Sequence, residues 1–167
     1  MKNLPLIILV LVVVGAIGLL AISKSGNPLP ANGSAVISQI LPGSITISPA
    51  SFAFGDISMA RGKVKTIFAL KNVSSSSIEI SSIVTSCMCT EASLLLGNER
   101  LGPFGMPGHG IVPRVNRSIA PGEEASIEAI FDPAAHGPAG VGNIERVVSV
   151  ETASGVLEAR ISATVTP

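Results

Sequence analysis

The sequence predicts an all-β domain, an antiparallel β-sandwich of about seven strands, preceded by one N-terminal transmembrane helix. Three observations support this prediction. The chain begins with a long apolar run, the region from residue 44 onward consists of short alternating segments separated by turn residues, and that region has no convincing helical period. The 167 residues leave room for one domain with a modest core. Without Trp or Tyr, that core must be built from aliphatic residues and a few Phe.

The N-terminal run covers residues 4–22, carries no charge and lies between Lys2 and Lys24. A helix needs about 20 apolar residues to cross a bilayer, whereas the apolar part of a signal peptide has about 7–15. We therefore predict a membrane anchor at residues 1–23, with a cleaved signal peptide as the alternative. The positive charges on the two sides of this run are nearly balanced, so they give only weak evidence for the orientation. We expect a single-pass protein whose domain lies outside the cytoplasm, periplasmic or extracellular.

Residues 24–43 are rich in Ser, Gly, Asn and Pro, which is typical of a linker or stalk, and the apolar patch at 35–41 could add a first short strand. The folded domain is predicted over residues 44–167. Within it, residues 52–57 follow Pro49 and are expected to form a kinked edge strand. Alternation indicates further strands at 64–72, 78–85 and 124–132. Residues 144–152 and 156–165 are predicted to form a final hairpin.

Residues 97–120 are rich in Gly and Pro but also contain scattered apolar residues. A connection of this length is uncommon in a compact domain unless it is functional or disordered. We expect a long loop that either packs on the sandwich or orders on a partner. Its candidate partner-binding residues are Phe104, Met106, His109 and Arg114.

The two cysteines, Cys87 and Cys89, end the strand predicted at 78–85. On an extended strand their side chains would share one face, and a bond between them would require a turn. The favoured interpretation is that both are small apolar residues at the end of a core strand, free or locally bridged; a labile or local disulfide and a metal site are the alternatives. With Met106 and His109 the sulfurs would suit Cu(I), and with both His109 and His136 they would suit zinc.

Several functional classes are not supported. Lys and Arg together number 11, as do Asp and Glu, so there is no basic field for nucleic acid. Cys87 or Cys89 with a histidine and Asp132 could form a catalytic nucleophile, base and orienting group. Any chain with two cysteines and two histidines allows the same combination, so no catalytic residue is predicted. Residues 55–63 lack the spacing of a phosphate-binding loop. The N-x-S sequons at Asn32, Asn72 and Asn116 matter only if the host glycosylates exported proteins.

Five segments in order resemble a known bacterial family. They are FAFGDI (52–57), GKVKTIFALKN (62–72), IEISSIVTSCMCT (78–90), IAPGEEASIEAIFDP (119–133) and VSVET (148–152). Together they are similar to the family called domain of unknown function fifteen seventy-three. The resemblance implies an immunoglobulin-like sandwich, related to Hydin and major-sperm-protein domains and often exported or membrane-anchored. Met88 stands where the family usually has Gly, and the connection to the PGE turn is longer here. The family carries no activity to transfer.

These observations predict a membrane-anchored, extracytoplasmic, immunoglobulin-like binding or structural module of the cell envelope. We expect it to be non-enzymatic and without a cofactor, to contact the membrane through its N-terminal helix, and to have a possible protein partner but no nucleic-acid partner. The alternative is a protein that uses Cys87 and Cys89 to bind copper or zinc, or for thiol redox chemistry.

Overall fold

The computed structural model describes residues 39–40, 45–110 and 113–167, which form two packed β-sheets. Sheet A contains, in spatial order, β1 (Gln39–Ile40), β2 (Ile45–Ser48), β4 (Val64–Asn72), β9 (Glu124–Phe131), β6 (Thr90–Leu96) and β7 (Glu99–Phe104). Sheet B contains β3 (Ser51–Ser58), β11 (Gly155–Thr166), β10 (Gly142–Thr152), β5 (Ile78–Thr85) and β8 (Arg117–Ile119). Two single-turn 3₁₀ helices, Met59–Arg61 and Gly137–Gly140, complete these elements.

Alternating residues of both sheets meet in one aliphatic core. In β4 the side chains of Thr66, Phe68 and Leu70 are buried, whereas the residues between them are exposed. In β11 the same alternation buries Leu157 and Ile161 among others. Because successive side chains of a strand point to opposite faces, this burial follows directly from the sequence pattern. The prediction of an all-β sandwich is confirmed.

The strand count and one pairing differ from the prediction. The described residues form eleven strands rather than about seven, partly because several are short edge pieces. Strand β3 pairs in parallel with β11, so the sandwich is not wholly antiparallel. The reason is that the chain leaves sheet A after β2 and enters sheet B at β3, crossing the sandwich at Pro49 and Ala50. The edge position predicted for residues 52–57 is confirmed.

The segment 97–120, predicted as one long loop, contains strands β7 and β8. Strand β7 tolerates Gly102 and Pro103 because it is the outermost strand of sheet A. Pro103 has no backbone N–H, and an edge strand, which pairs on one side only, can lack that donor without losing a hydrogen bond in the middle of the sheet. Between β7 and β8, the described residues without strand structure are therefore 105–110 and 113–116. At the other end, β1 pairs with β2 through Gln39 and Ile47, so the sheet begins inside the predicted stalk.

The final hairpin is confirmed, with β10 and β11 paired from Gly142 and Val165 to Thr152 and Gly155. In the described part of the chain, no helix has the length and apolar character needed to span a bilayer. The predicted anchor, residues 1–23, lies outside that part.

Glu128 is an exception on the outer face of sheet A. The sequence pattern places it opposite the core residues of β9, yet it is only 4% exposed. Arg100 donates to one carboxylate oxygen at 2.7 Å, and Lys65 donates to the other at 3.3 Å. The hydrogen bond from Arg100 is the main cause that lowers the pKa of Glu128; burial opposes it, and Lys65 adds to it. Two cationic side chains thus cover a charge that would otherwise be exposed.

Candidate functional site: the cystine turn

The two cysteines lie in a four-residue turn, residues 86–89, which we call the cystine turn. It joins the end of β5 in sheet B to the start of β6 in sheet A, so it is one of the crossings between the sheets. The predicted position at a strand end is confirmed. The two cysteine residues do not lie on an extended strand, where their side chains would share one face, because the backbone turns between Thr85 and Thr90.

Hydrogen bonds between backbone groups and with the side-chain hydroxyls of Thr85 and Ser86 hold the cystine turn in place. The Thr90 N–H donates to the Cys87 carbonyl at 3.0 Å and closes the turn. The Ser86 N–H donates to the Val147 carbonyl at 2.9 Å, and the Val147 N–H donates back to Ser86 Oγ at 2.9 Å. The buried Thr85 hydroxyl lies 3.1 Å from the Cys87 carbonyl oxygen. The conformation of the turn is therefore fixed by its neighbours as well as by its own sequence.

Cys87 and Cys89 form a disulfide, and their Cα atoms are 5.3 Å apart, within the usual range for such bonds. The turn brings the Cα atoms to this spacing, which an extended strand would not. The favoured interpretation allowed the two cysteines to be free or locally bridged, and the structure has the bridged form, since the described residues contain no free cysteine. The alternative of a local disulfide is what the structure has. Its two sulfur-bearing residues are unequal: Cys87 is half-buried, whereas Cys89 is 3% exposed.

Each sulfur atom has one nitrogen-bearing side chain beside it. His136 Nε2 lies 3.2 Å from Cys87 Sγ, and Arg146 Nε donates to Cys89 Sγ at 3.2 Å. The Cys89 N–H also donates to Cys87 Sγ at 3.3 Å. The guanidinium of Arg146 donates in addition to the Glu145 carbonyl, but forms no ion pair with a carboxylate of the described residues. Its charge is therefore not neutralised by a neighbouring acid there.

The loop that carries His136 is tied to the cystine turn. The Asp132 N–H donates to the Cys89 carbonyl at 2.9 Å, and Asp132 Oδ1 accepts from the Ala134 N–H at 2.9 Å. Gly140 packs close to the imidazole-bearing residue, since a Cβ at that position would lie 3.3 Å from His136 Cβ. These contacts hold His136 over the sulfur atoms although its own side chain is exposed.

An open cavity of about 100 Å³ adjoins the buried sulfur. Its lining residues come from the cystine turn and the adjacent strands and loop: Lys63, Met88, Cys89, Glu91, Ile130, Asp132 and Ala135. Lys63 Nζ lies 3.8 Å from Glu91 Oε2, so one cation and one carboxylate face each other there. The cavity is small and polar.

The residues proposed as partner-binding residues of the loop differ in their exposure to solvent. Phe104 is 2% exposed and belongs to the core, because it ends β7 and pairs with Ala92; it is therefore not available to a partner. Met106 is half-buried, and His109 and Arg114 are exposed. Among the described histidines, cysteines and carboxylates, the group that could hold a metal ion is Cys87, Cys89 and His136. His109, chosen from the sequence, is not a member of that group.

Two features of the site were missed in the sequence. As a metal ligand, His136 was considered only for zinc, together with His109. It lies in an exposed loop, and its contact with Cys87 depends on the return of that loop to the end of β5. Arg146 was not singled out at all. It follows the loop by only a few residues, and the pairing of β10 with β5 brings it to Cys89. No local pattern identifies either contact, since one arises from the return of a loop and the other from strand pairing.

Comparison with known proteins supports the family resemblance over part of the chain. Residues 45–96 match the family described as protein of unknown function (DUF1573). No curated protein matches the chain. Among solved structures, a protein of unknown function from Porphyromonas gingivalis W83 has a TM-score of 0.54 at 14% identity, covering 80% of this chain and 51% of the other. This similarity shows a shared fold alone, and the present chain spans about half of that protein.

Two other solved structures are similar at lower scores. A PapD-like domain of human CEP192 has a TM-score of 0.46 at 12% identity, covering 77% of this chain and 89% of that domain. A family 123 glycoside hydrolase from Clostridium perfringens has a TM-score of 0.47 at 11% identity, covering 68% of this chain and 22% of the enzyme. Neither likeness bears on function. The resemblance inferred from the sequence is nevertheless confirmed over residues 45–96, the segment that matches the DUF1573 family and includes the cystine turn.

Proposed function

We propose that this chain is a module of the cell envelope that binds a partner protein at the cystine turn and exchanges electrons with it there. In this proposal the Cys87–Cys89 disulfide accepts two electrons from a dithiol of a partner protein and then passes them to the disulfide of a second protein, which becomes a dithiol. The observation that carries it is the contact of Arg146 Nε with Cys89 Sγ at 3.2 Å. A guanidinium in this position stabilises a thiolate, which is the product of opening the disulfide.

The difference in exposure between the two sulfurs assigns their roles. A thiolate of the partner attacks Cys87 Sγ, because Cys87 is half-buried whereas Cys89 is almost fully covered. The bond between Cys87 Sγ and Cys89 Sγ breaks, and its electron pair remains on Cys89 Sγ as a thiolate beside Arg146. A disulfide then joins the partner to Cys87. Exchange of this kind is faster when the departing thiolate is stabilised.

The second thiol of the partner completes the exchange. As a thiolate it attacks the partner's own bridged sulfur, so the partner leaves as a disulfide and Cys87 is released as a thiolate. That thiolate lies near His136 Nε2 and accepts from the Cys89 N–H, since both groups already contact Cys87 Sγ. Two electrons pass from the partner to the domain, and the two protons of the partner's dithiol are left for the new thiolates or for solvent.

The location of the module is part of the proposal. The uncharged run at residues 4–22 has the length of a bilayer span, and disulfides persist outside the cytoplasm, where the environment is oxidising. Both arguments favour a single-pass anchor with the sandwich on the extracytoplasmic side. We expect the full chain to stay in the membrane fraction after alkaline extraction and to be cut by protease added from that side. Release by alkali would contradict the anchor.

The roles of the two sulfurs can be tested with single substitutions. Cys89→Ser leaves Cys87 as a free thiol at the accessible position, whereas Cys87→Ser leaves the covered Cys89. We expect the Cys89→Ser protein to react much faster with an aromatic disulfide reagent, measured by release of its coloured thiol. Circular dichroism of both variants controls for folding. Equal rates in two folded variants would contradict the assignment of Cys87 as the attacked sulfur.

A further inference from the structure

We infer that the cystine turn, once reduced, binds one Cu(I) ion through Cys87 Sγ, Cys89 Sγ and His136 Nε2. This inference rests on the proposed reduction of the disulfide, since the two sulfurs become ligands only as thiolates. A dithiol of the partner, or a phosphine in the test tube, supplies the two electrons. Transfer of two electrons from the turn to the disulfide of another protein would re-form the Cys87–Cys89 bond and release the ion.

The three donor atoms already converge. The two sulfur atoms and a ring nitrogen of His136 all lie within 4.8 Å of one another. Donors bonded to one ion at about 2.0–2.3 Å are roughly 3.5–4 Å apart from each other. Cys87 Sγ and His136 Nε2, at 3.2 Å, are close to that spacing, and reduction frees the sulfurs to separate. The site therefore needs side-chain rotation but no movement of a strand.

The backbone under the donors is held in place. The Cys87 carbonyl accepts from the Thr90 N–H, which closes the turn, and the Asp132 N–H binds the Cys89 carbonyl, which fixes the histidine loop to the turn. None of these bonds uses the disulfide, so all of them are available to the reduced protein. A preorganised donor set loses less conformational entropy when the ion binds.

The donor types and the local charge favour Cu(I) over Zn²⁺. Thiolates and imidazole are ligands that soft Cu(I) accepts, whereas zinc in proteins is almost always bound by four groups. Two thiolates with one Cu⁺ leave a net charge of −1, and the guanidinium of Arg146 beside Cys89 Sγ balances it. With Zn²⁺ the same ligands would form a neutral centre next to an unneutralised cation. No Asp or Glu carboxylate of the described residues joins the group within the same radius.

The site differs from the Cu(I) set predicted from the sequence, because His136 takes the place of Met106 and His109. The two histidines provide a matched pair of variants: both are exposed loop residues, but only His136 contacts a sulfur. Removing His136 should weaken the site, and removing His109 should leave it unchanged. A copper site built on the 105–116 loop would show the opposite result.

The test is an anaerobic titration of the full-length protein with Cu(I) in competition with bicinchoninate, after reduction with a phosphine and alongside a count of free thiols. We expect one Cu(I) per reduced chain and none per oxidised chain. His136→Gln should raise the dissociation constant at least about tenfold, while His109→Gln matches the wild type. Parallel titration with Zn²⁺ should give much weaker binding.

Each other outcome overturns the inference in a distinguishable way. Two free thiols without copper binding would overturn the metal site but leave the thiol couple intact. No thiols after reduction of the folded protein would overturn both. Copper binding that is unaffected by His136→Gln, or that persists in the oxidised chain, would show that the ion binds elsewhere. Zinc binding as tight as copper binding would overturn the choice of ion.

Discussion

Replacing Arg146 by Met should slow reduction of the disulfide about fivefold. In the proposed exchange Cys89 Sγ departs as a thiolate, and Arg146 Nε donates to that atom at 3.2 Å. A hydrogen bond to a full charge is worth about 1.5–3 kcal/mol. The sulfur carries roughly half a charge in the transition state, so about 1 kcal/mol of stabilisation is lost. Since about 1.4 kcal/mol corresponds to a tenfold change in rate, this loss gives the fivefold effect.

The assay must count thiols directly, because a chain without Trp or Tyr has no useful intrinsic fluorescence. Reduction by excess dithiothreitol is stopped with acid at set times, the thiols are alkylated, and the fraction of modified chains is read by mass spectrometry. Arg146→Lys, which keeps the charge, should recover part of the rate. Arg117→Met is the matched control, because it removes a positive charge whose contacts are Glu99 and the Asn116 carbonyl rather than a sulfur.

Two results would refute this reasoning. A wild-type rate for Arg146→Met, in a protein that is folded by circular dichroism, would mean that the guanidinium does not assist the departing thiolate. Equal slowing by Arg117→Met would mean that the net charge of the domain controls the reaction, and not the contact with Cys89.

Three further predictions concern stability, measured by urea denaturation followed by circular dichroism. Glu128→Gln should lower the free energy of unfolding by about 1–2 kcal/mol at neutral pH. Folding lowers the pKa of Glu128, so the stabilisation is fully present above the unfolded pKa of about 4.3. It disappears as the pH falls through the folded pKa. Gly102→Ala should destabilise the fold by about 2–3 kcal/mol, since its φ is 124° and the new Cβ would lie 2.9 Å from the Ala92 carbonyl oxygen. As a control, Gly97→Ala should destabilise it by only about 1 kcal/mol, because Gly97 has a φ of 56° but open space around it. Asn72→Ala should cost about 2–4 kcal/mol, because its fully buried amide donates to the Ser76 and Ile119 carbonyls at 2.8 Å each.

Each of these stability predictions has a result that would contradict it. A pH-independent difference between Glu128→Gln and the wild type would exclude the charged pair as its cause. Equal costs at Gly102 and Gly97 would mean that the close approach to Ala92 does not matter. A neutral Asn72→Ala would mean that water replaces the hydrogen bonds of the amide. The burial of Asn72 excludes it as a glycosylation acceptor in the folded domain.

The sequence was sufficient for features that depend on local alternation. Thr66, Phe68 and Leu70 are buried together because they share one face of a strand, and the final hairpin follows from two alternating segments around a Gly-containing turn. Strand β7 could not be predicted in the same way, because an edge strand accepts Gly102 and Pro103, which are typical of loops.

The site was only half accessible to sequence analysis. Cys87 and Cys89 were identified by their spacing, but the choice between a strand and a turn decides whether they can be bonded, and that choice depends on hydrogen bonds to Val147 and Asp132. The burial of Glu128 was missed for a related reason: Arg100 covers it from β7, a strand that the sequence did not predict. Contacts made across the sheets require the topology before they can be inferred.

The most direct test of the proposed function is the equilibrium of the full-length protein with defined ratios of reduced and oxidised dithiothreitol. The number of free thiols and the circular dichroism spectrum are measured at each ratio, and the titration is then run in reverse. We predict that two thiols appear together and disappear reversibly while the β-sheet spectrum is unchanged, because the hydrogen bonds of the cystine turn do not depend on the disulfide. A disulfide that opens only when the domain unfolds would contradict the proposal and make the bond purely structural.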